Sequence, residues 1–324
     1  MPDLSDIRRP VENEMKCFQK RFKESIHSDV FLLNIISSYI LRNTGKQIRP
    51  LFVFLTAKMV GGVSESTYTA ASLIELMHTG TLIHDDVVDE SYERRSKFSI
   101  NAIWRSKLSV LLGDYFLSRG LLLAANKNDH ALLDIVSGTV KEMIEGELLQ
   151  LQKSRKLNID IDSYYDVIRK KTATLIASCT ASGAKSAGAS QEEIDLLYTM
   201  GIDIGMAFQI KDDLFDYQPR GIIGKPTGND LKEKKFTLPL IYALEQSTRL
   251  EKRKIMRLIR NGSMNSNKIG QVVEFVKKNG GLEFAESKMT EFKDKAEKVL
   301  LSYPESESRQ GLLDLVRFTI ERNK

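Results

Sequence analysis

The sequence predicts an all-α protein with ten or more helices in one domain spanning residues 1–324. Three observations lead there. Apolar residues recur with a period near 3.6 along most of the chain. No pair of alternating runs is joined by a hairpin-type turn. No Pro-, Gly- or Ser-rich linker divides the chain.

The periodic segments follow in order. They are Met15 to Ile26, Leu51 to Val60, Ser66 to His84, Leu108 to Ala125, Ala131 to Leu151, Tyr164 to Ala184, Glu192 to Tyr217 and Leu238 to Glu245. Thr237 reads as the N-cap of the last, with Pro239 in its first turn. Gly280 and Gly281 close a further helix, and two more follow. Two loops stand out. Ser91 to Asn101 is basic, and Tyr217 to Lys235 carries Gly221, Gly224 and Gly228 among lysines, the composition of an active-site lid.

Composition removes several classes of function. The net charge of +5 is mild for 324 residues, and no basic stripe interleaves with aromatics, which argues against nucleic acid. Two cysteines, Cys17 and Cys179, cannot build a disulfide framework or a zinc site. They suit a reducing compartment. The charged N-terminus lacks the apolar core of a secretory signal, and apolar runs such as "VFLLNIISSYIL" fall short of a bilayer span. The cytoplasm is the expected location.

The chemistry is concentrated in "LIHDDVVDES". On a helix from Ser66, the inward stripe Ala70, Leu73/Ile74, Met77, Thr81 continues into Asp85 and Asp89. Asp86 lies about a quarter turn aside. Like charges at this spacing repel by about 0.2–0.5 kcal/mol even in water, and burying them unpaired costs far more. Position 81 is Thr and position 93 is Glu, so no local cation helps. A hard divalent cation with oxygen ligands, Mg2+ above all, is the economical partner. "FQIKDDLFDY" repeats the arrangement at Asp212, Asp213 and Asp216, again at the end of an apolar stripe through Leu197, Gly201, Ile204/Gly205 and Phe208. Two such turns facing one cavity would form a multi-metal site for a polyanion. Lys171 also falls on an inward stripe, and a buried Lys needs an anion. Arg49 stands at a helix start, where free N–H groups favour phosphate.

From "GKQIRP" (Gly45–Pro50) onward the chain resembles the trans-isoprenyl diphosphate synthase, or polyprenyl synthetase, family. The signatures run in order: "ELMHTGTLIHDDVVDES", "ERRSK", "LLGDYF", "KKTATLI", "MAFQIKDDLFDY", "GKPTGNDL" and "KKFTLP". The resemblance implies a bundle of antiparallel helices around a deep central cavity, usually in a homodimer. It implies Mg2+-dependent condensation of an allylic diphosphate with isopentenyl diphosphate, with three ions per site. Asp85, Asp89 and Asp212 would be ligands, and Asp86, Asp213 and Asp216 their neighbours. The allylic diphosphate would meet Arg94, Lys171, Lys225 and Lys235. Isopentenyl diphosphate would meet Lys46, Arg49, His78 and Arg95. Thr172 and Gln209 would line the space around the reacting carbons. The sequence departs from the family pattern at Ser96 and Arg105, where glycines are usual, and at Gln47–Ile48.

Gly80 and Thr81, just before the first acidic turn, are small, and Met77 is flexible, so an alkyl tail could pass them. The expected product is medium- to long-chain, with a tunnel floor at Tyr115, Phe116 or the Ala131–Leu151 helix and transient membrane contact for its release. Short-chain synthesis and a subunit of a heteromeric synthase are the alternatives. A di-iron bundle would need Glu-x-x-His on two helices; besides Glu75–His78 the sequence holds Glu24–His27, whose His falls just past the Met15–Ile26 pattern. A terpene cyclase would not need the second acidic turn.

Overall fold

The computed structural model describes residues 3–43, 45–94, 97–156, 160–218, 228–233, 235–260 and 265–320. Its helices are α1 (Leu4–Arg8), α2 (Glu12–Ser25), α3 (Phe31–Arg42), α4 (Ile48–Val60), α5 (Glu65–Val88), α6 (Ile100–Ala125), α7 (His130–Lys156) and α8 (Ile161–Ile168). They continue as α9 (Thr174–Ser186), α10 (Gln191–Phe215), α11 (Asn229–Lys232), α12 (Leu238–Gln246), α13 (Arg249–Arg260), α14 (Ser266–Lys278), α15 (Gly281–Leu301) and α16 (Glu307–Ile320). The all-α expectation holds. One small correction is a hairpin between α5 and α6, where β1 (Glu93–Arg94) pairs with β2 (Lys97–Phe98). A ladder two residues long is too short to leave a period in the sequence.

α9 sits at the centre. Every residue from Thr174 to Ala184 is buried, which a helix achieves only when it is surrounded. Apart from Leu175 and Ile176 its buried side chains are small, so neighbouring backbones come close. A Cβ at Gly201 or Gly205 of α10 would stand 2.4 Å from the Cα of Ala177 or Ala173. The buried Thr180 hydroxyl donates to the Leu197 carbonyl at 2.7 Å, so this polar group is satisfied inside the packing. α4, α5, α7 and α10 all pack on α9.

The long helix expected from Tyr164 to Ala184 is interrupted. Residues Arg169–Ala173 form a π-helical turn between α8 and α9, and such turns are frequent at functional sites. Thr237 is the N-cap of α12, as read, but its hydroxyl pairs with the Tyr217 hydroxyl and not with a helix N–H.

α5 and α6 run side by side at close range. A Cβ on Gly113 would overlap the His84 ring at 2.2 Å, and one on Gly80 would meet the Gly113 carbonyl and Leu117 at 3.0 Å. The size of Gly80 therefore serves helix contact. Met77 leans the same way, 3.3 Å from where a Cβ of Gly120 would stand. α6 is, by length and composition, apolar enough to cross a membrane, against the expectation that no segment reaches that length. Its inner face is taken up by this contact, through Leu112, Phe116, Gly120 and Ala124.

Arg105 breaks the helical geometry of α6, with φ 64° and ψ 166°. That region is essentially reserved for glycine, and another residue there costs about 1–3 kcal/mol. The family pattern has Gly at this position, so the departure noted in the sequence is a strained one. Arg105→Gly is expected to raise thermal stability by a few degrees in calorimetry; an unchanged or lower melting temperature would contradict the strain.

Candidate active site

The first acidic turn ends α5. Asp85 is half-buried, Asp86 is buried and Asp89 is the exposed C-cap, its N–H bonded to the Asp85 carbonyl at 2.8 Å. The second turn ends α10 in the same way, with Asp212 and Asp216 half-buried and Asp213 buried. The inward stripe carries the first and fifth aspartates of each turn, yet the second is the buried one. For Asp213 the donors available account for this. The Tyr164 hydroxyl gives Asp213 a hydrogen bond at 2.7 Å, the Gln209 amide another at 3.1 Å, and the Leu238 N–H a longer one at 3.4 Å. The outer aspartates of each turn have more contact with solvent.

The helices of both turns lie against α9, and Lys235 connects the turns electrostatically. Burial disfavours the Lys235 ammonium, but its hydrogen bond to Glu233 and the fields of Glu233, Asp89 and Asp230 outweigh this and raise its pKa. Asp89 belongs to the first turn. Asp230 in α11 lies beside the second, where Asp216 and Asp212 act on it. Burial, then Asp216, push the Asp230 carboxyl up to about 6, against the pull of Lys235. Burial and Asp230 push Asp213 up to about 7, against its three hydrogen bonds. Nothing in the spacing of "GKPTGNDL" marks Asp230 for a role.

The remaining candidates divide. The Thr172 hydroxyl donates to Gln209 Oε1 at 3.0 Å, which joins both to Asp213. Lys171 pairs with Glu147. His78 and Asp86 line a cavity of ≈ 310 Å³ with Gly45, Arg42 and Lys97, two cations that the sequence reading did not assign. Thr81 is half-buried and donates to the His78 carbonyl at 2.9 Å. Arg49 is half-buried in the first turn of α4. Lys46 leans over the Phe318 ring at 4.8 Å. Arg95, Lys225 and residues 219–227 of the expected lid lie outside the described residues, as does the Arg94 side chain. A larger groove of ≈ 890 Å³ lies beside Tyr217, α13 and α14 and includes no residue of either acidic turn.

The donors in both turns are carboxylates, the set that suits a hard divalent cation. Among the described residues no three His, Cys, Asp or Glu side chains already converge on one cation position. A cation here would need further oxygens, such as those of a diphosphate. Asp213 and Asp230 are raised first by burial and then by neighbouring carboxylates, and a cation would relieve the second of these.

A family model described as polyprenyl synthetase matches residues 31–276. The chain belongs to the polyprenyl synthetase family. It is an enzyme that transfers prenyl groups. Among similar proteins, the octaprenyl diphosphate synthase of Escherichia coli (strain K12) is 35% identical over 323 residues, covering 99% of this chain and 100% of that one. The crystal structure of a decaprenyl diphosphate synthase from Rhodobacter capsulatus matches with a TM-score of 0.93 and 32% identity, covering 99% and 100%. That of a polyprenyl synthase from Caulobacter crescentus CB15, complexed with calcium and isoprenyl diphosphate, matches with 0.90 and 31%, covering 99% and 98%. The polyprenyl synthetase bundle is thus matched along essentially the whole chain.

Asp213 and Asp230 are protonated in the fold at pH values where the unfolded chain, with carboxyls near 3.8, is ionised. Folding of the cation-free protein therefore takes up protons, and these two groups lower its stability as pH rises from about 4 to about 7. A divalent cation must displace those protons. Added Mg2+ is expected to raise the melting temperature more near pH 8 than near pH 5, measured by scanning fluorimetry. An equal shift at both pH values would count against cation binding at these carboxyls.

Proposed function

We propose that this protein condenses an allylic diphosphate with isopentenyl diphosphate head to tail, using Mg2+, and releases a medium- to long-chain trans-polyprenyl diphosphate. The observation that carries the reading is the shared field on Lys235, which brings Asp89 of one acidic turn and Asp230 beside the other to a single locus. Asp85, Asp89 and Asp212 would hold the ions, three per site, with Asp86, Asp213 and Asp216 around them. Bound magnesium would neutralise charge on the leaving diphosphate.

The chain's own groups account for the rest. Lys171 and Lys235, with Arg94 and Lys225, bind the allylic diphosphate and stabilise the charge that develops as the C–O bond breaks. Isopentenyl diphosphate lies on the side of Arg49 and His78, where Arg42 and Lys97 add positive charge to the cavity, and Lys46 and Arg95 complete that set. Its double bond attacks the allylic cation and a C–C bond forms. The proton lost in this step passes to the released diphosphate, so no side-chain base is required. Thr172 and Gln209 are tied to each other and to Asp213, which fixes them beside the reacting carbons.

The tail runs from the acidic turn past Thr81, on the face of α5 that also carries His78. A homodimer is supported by an outward apolar stripe on α6 and α7. It includes Leu111 (56% exposed), Leu122 (51%) and Leu148 (61%), and exposed apolar surface of this kind marks contact sites. An enzyme working without a second kind of subunit is supported by its keeping both acidic turns.

The pure protein is expected to extend allylic primers with isopentenyl diphosphate and Mg2+, giving long products by mass spectrometry. Asp85→Ala and Asp212→Ala are each expected to cut turnover by orders of magnitude with circular dichroism unchanged. Activity only in the presence of a partner chain would favour the heteromeric reading. Thr81→Phe is expected to shorten the product, and an unaltered length profile would remove Thr81 from the tunnel. Leu111→Asp with Leu122→Asp is expected to sediment as a monomer; a monomeric wild type would remove the dimer.

A further inference from the structure

The π turn and α7 meet at close range. A Cβ at Gly146 would stand 2.7 Å from the Lys171 nitrogen and 2.8 Å from Lys170 Cβ. Glycine at this position lets α7 lie directly against the wide turn. The next residue along α7, Glu147, pairs through Oε2 with Lys171 Nζ at 2.5 Å, and Gln150 Oε1, one turn further, accepts from the same Nζ at 3.1 Å. An ammonium has three donors. α7 takes two of them and so sets the direction of the third. The following residue, Thr172, reaches the other way to Gln209 and hence to Asp213. One turn of chain thus links α7 to the second acidic motif, and Lys171 and Glu147 both keep about a third of their surface or less open, 33% and 27%.

A carboxylate on a diphosphate-binding lysine works against tight binding, because it neutralises the cation and repels the ligand. Holding the ammonium in place does not require that charge. Gln150 accepts from the same ammonium with a neutral amide. A chain-elongating enzyme must also release one diphosphate after every addition, so excessive affinity would slow each cycle.

We propose that Glu147 and Gln150 are positioning residues for Lys171, and that the Glu147 carboxylate competes with bound diphosphate for the Lys171 ammonium and so limits how tightly diphosphate is held. The proposal rests on Lys171 meeting diphosphate, as in the function proposed above. It makes the two ways of altering Glu147 differ in sign. Glu147→Gln keeps an oxygen acceptor and removes the charge. Glu147→Ala removes both and frees the ammonium to wander.

The test is calorimetric titration of the full-length protein with inorganic diphosphate in the presence of Mg2+, alongside KM and kcat for the allylic substrate. Glu147→Gln is expected to tighten diphosphate binding and lower KM by about three- to tenfold, the scale of one ordinary net hydrogen bond, with a lower kcat. Glu147→Ala is expected to weaken binding by a similar factor. In a Lys171→Ala background the Gln substitution should lose its effect, since its effect acts through the ammonium. Shifts of the same sign for Gln and Ala, or a Gln effect that survives without Lys171, would overturn the proposal. If Lys171→Ala alone leaves diphosphate binding unchanged, the assignment of Lys171 itself fails, and the proposal with it.

Discussion

The architecture depends on how closely helices can approach α9. Its Ala, Ser, Thr, Cys and Gly side chains are buried on every side, which lets α4, α5, α7 and α10 gather round one axis. Large residues there would push α10 outward, because Gly201 and Gly205 already stand against Ala177 and Ala173 with no room for a methyl group. α5 and α10 both lie against α9, and Lys235 feels Asp89 of the first acidic turn and Asp230 beside the second.

Much of this was legible in the sequence, for identifiable reasons. Helix periodicity survives wherever one face of a helix is buried, so α5 and α10 were readable nearly to their ends. The paired aspartates were readable because charge at the end of an apolar stripe conflicts with burial unless a ligand resolves it. The π turn was not readable. It inserts into a continuous helical pattern without changing composition. Nor was the burial of Asp213, because hydrogen-bond donors from distant segments, Tyr164 and Leu238, let that carboxylate be buried. Arg42 and Lys97 were missed for a similar reason: each looks like an ordinary solvated cation until the fold brings it to the wall of the His78 cavity.

The departures from the family pattern are informative one by one. Gln47 takes a left-handed conformation at the cap of α4, with φ 50°, a state an ordinary residue can visit at modest cost. Arg105 occupies a region where a side chain is much less tolerable. The two substitutions look equally mild in sequence, and only the backbone angles separate them.

The crossing of Gly80 and Gly113 bears on redesign of the enzyme's output. Residue 80 lies beside the stretch an engineer would reach for first when trying to cap the hydrocarbon. It faces the carbonyl of Gly113 and the side chain of Leu117, so a ring installed there would wedge two helices apart before it met any lipid. Libraries aimed at retuning product size in this scaffold would do better to leave that crossing untouched and vary residues on the neighbouring face of α5.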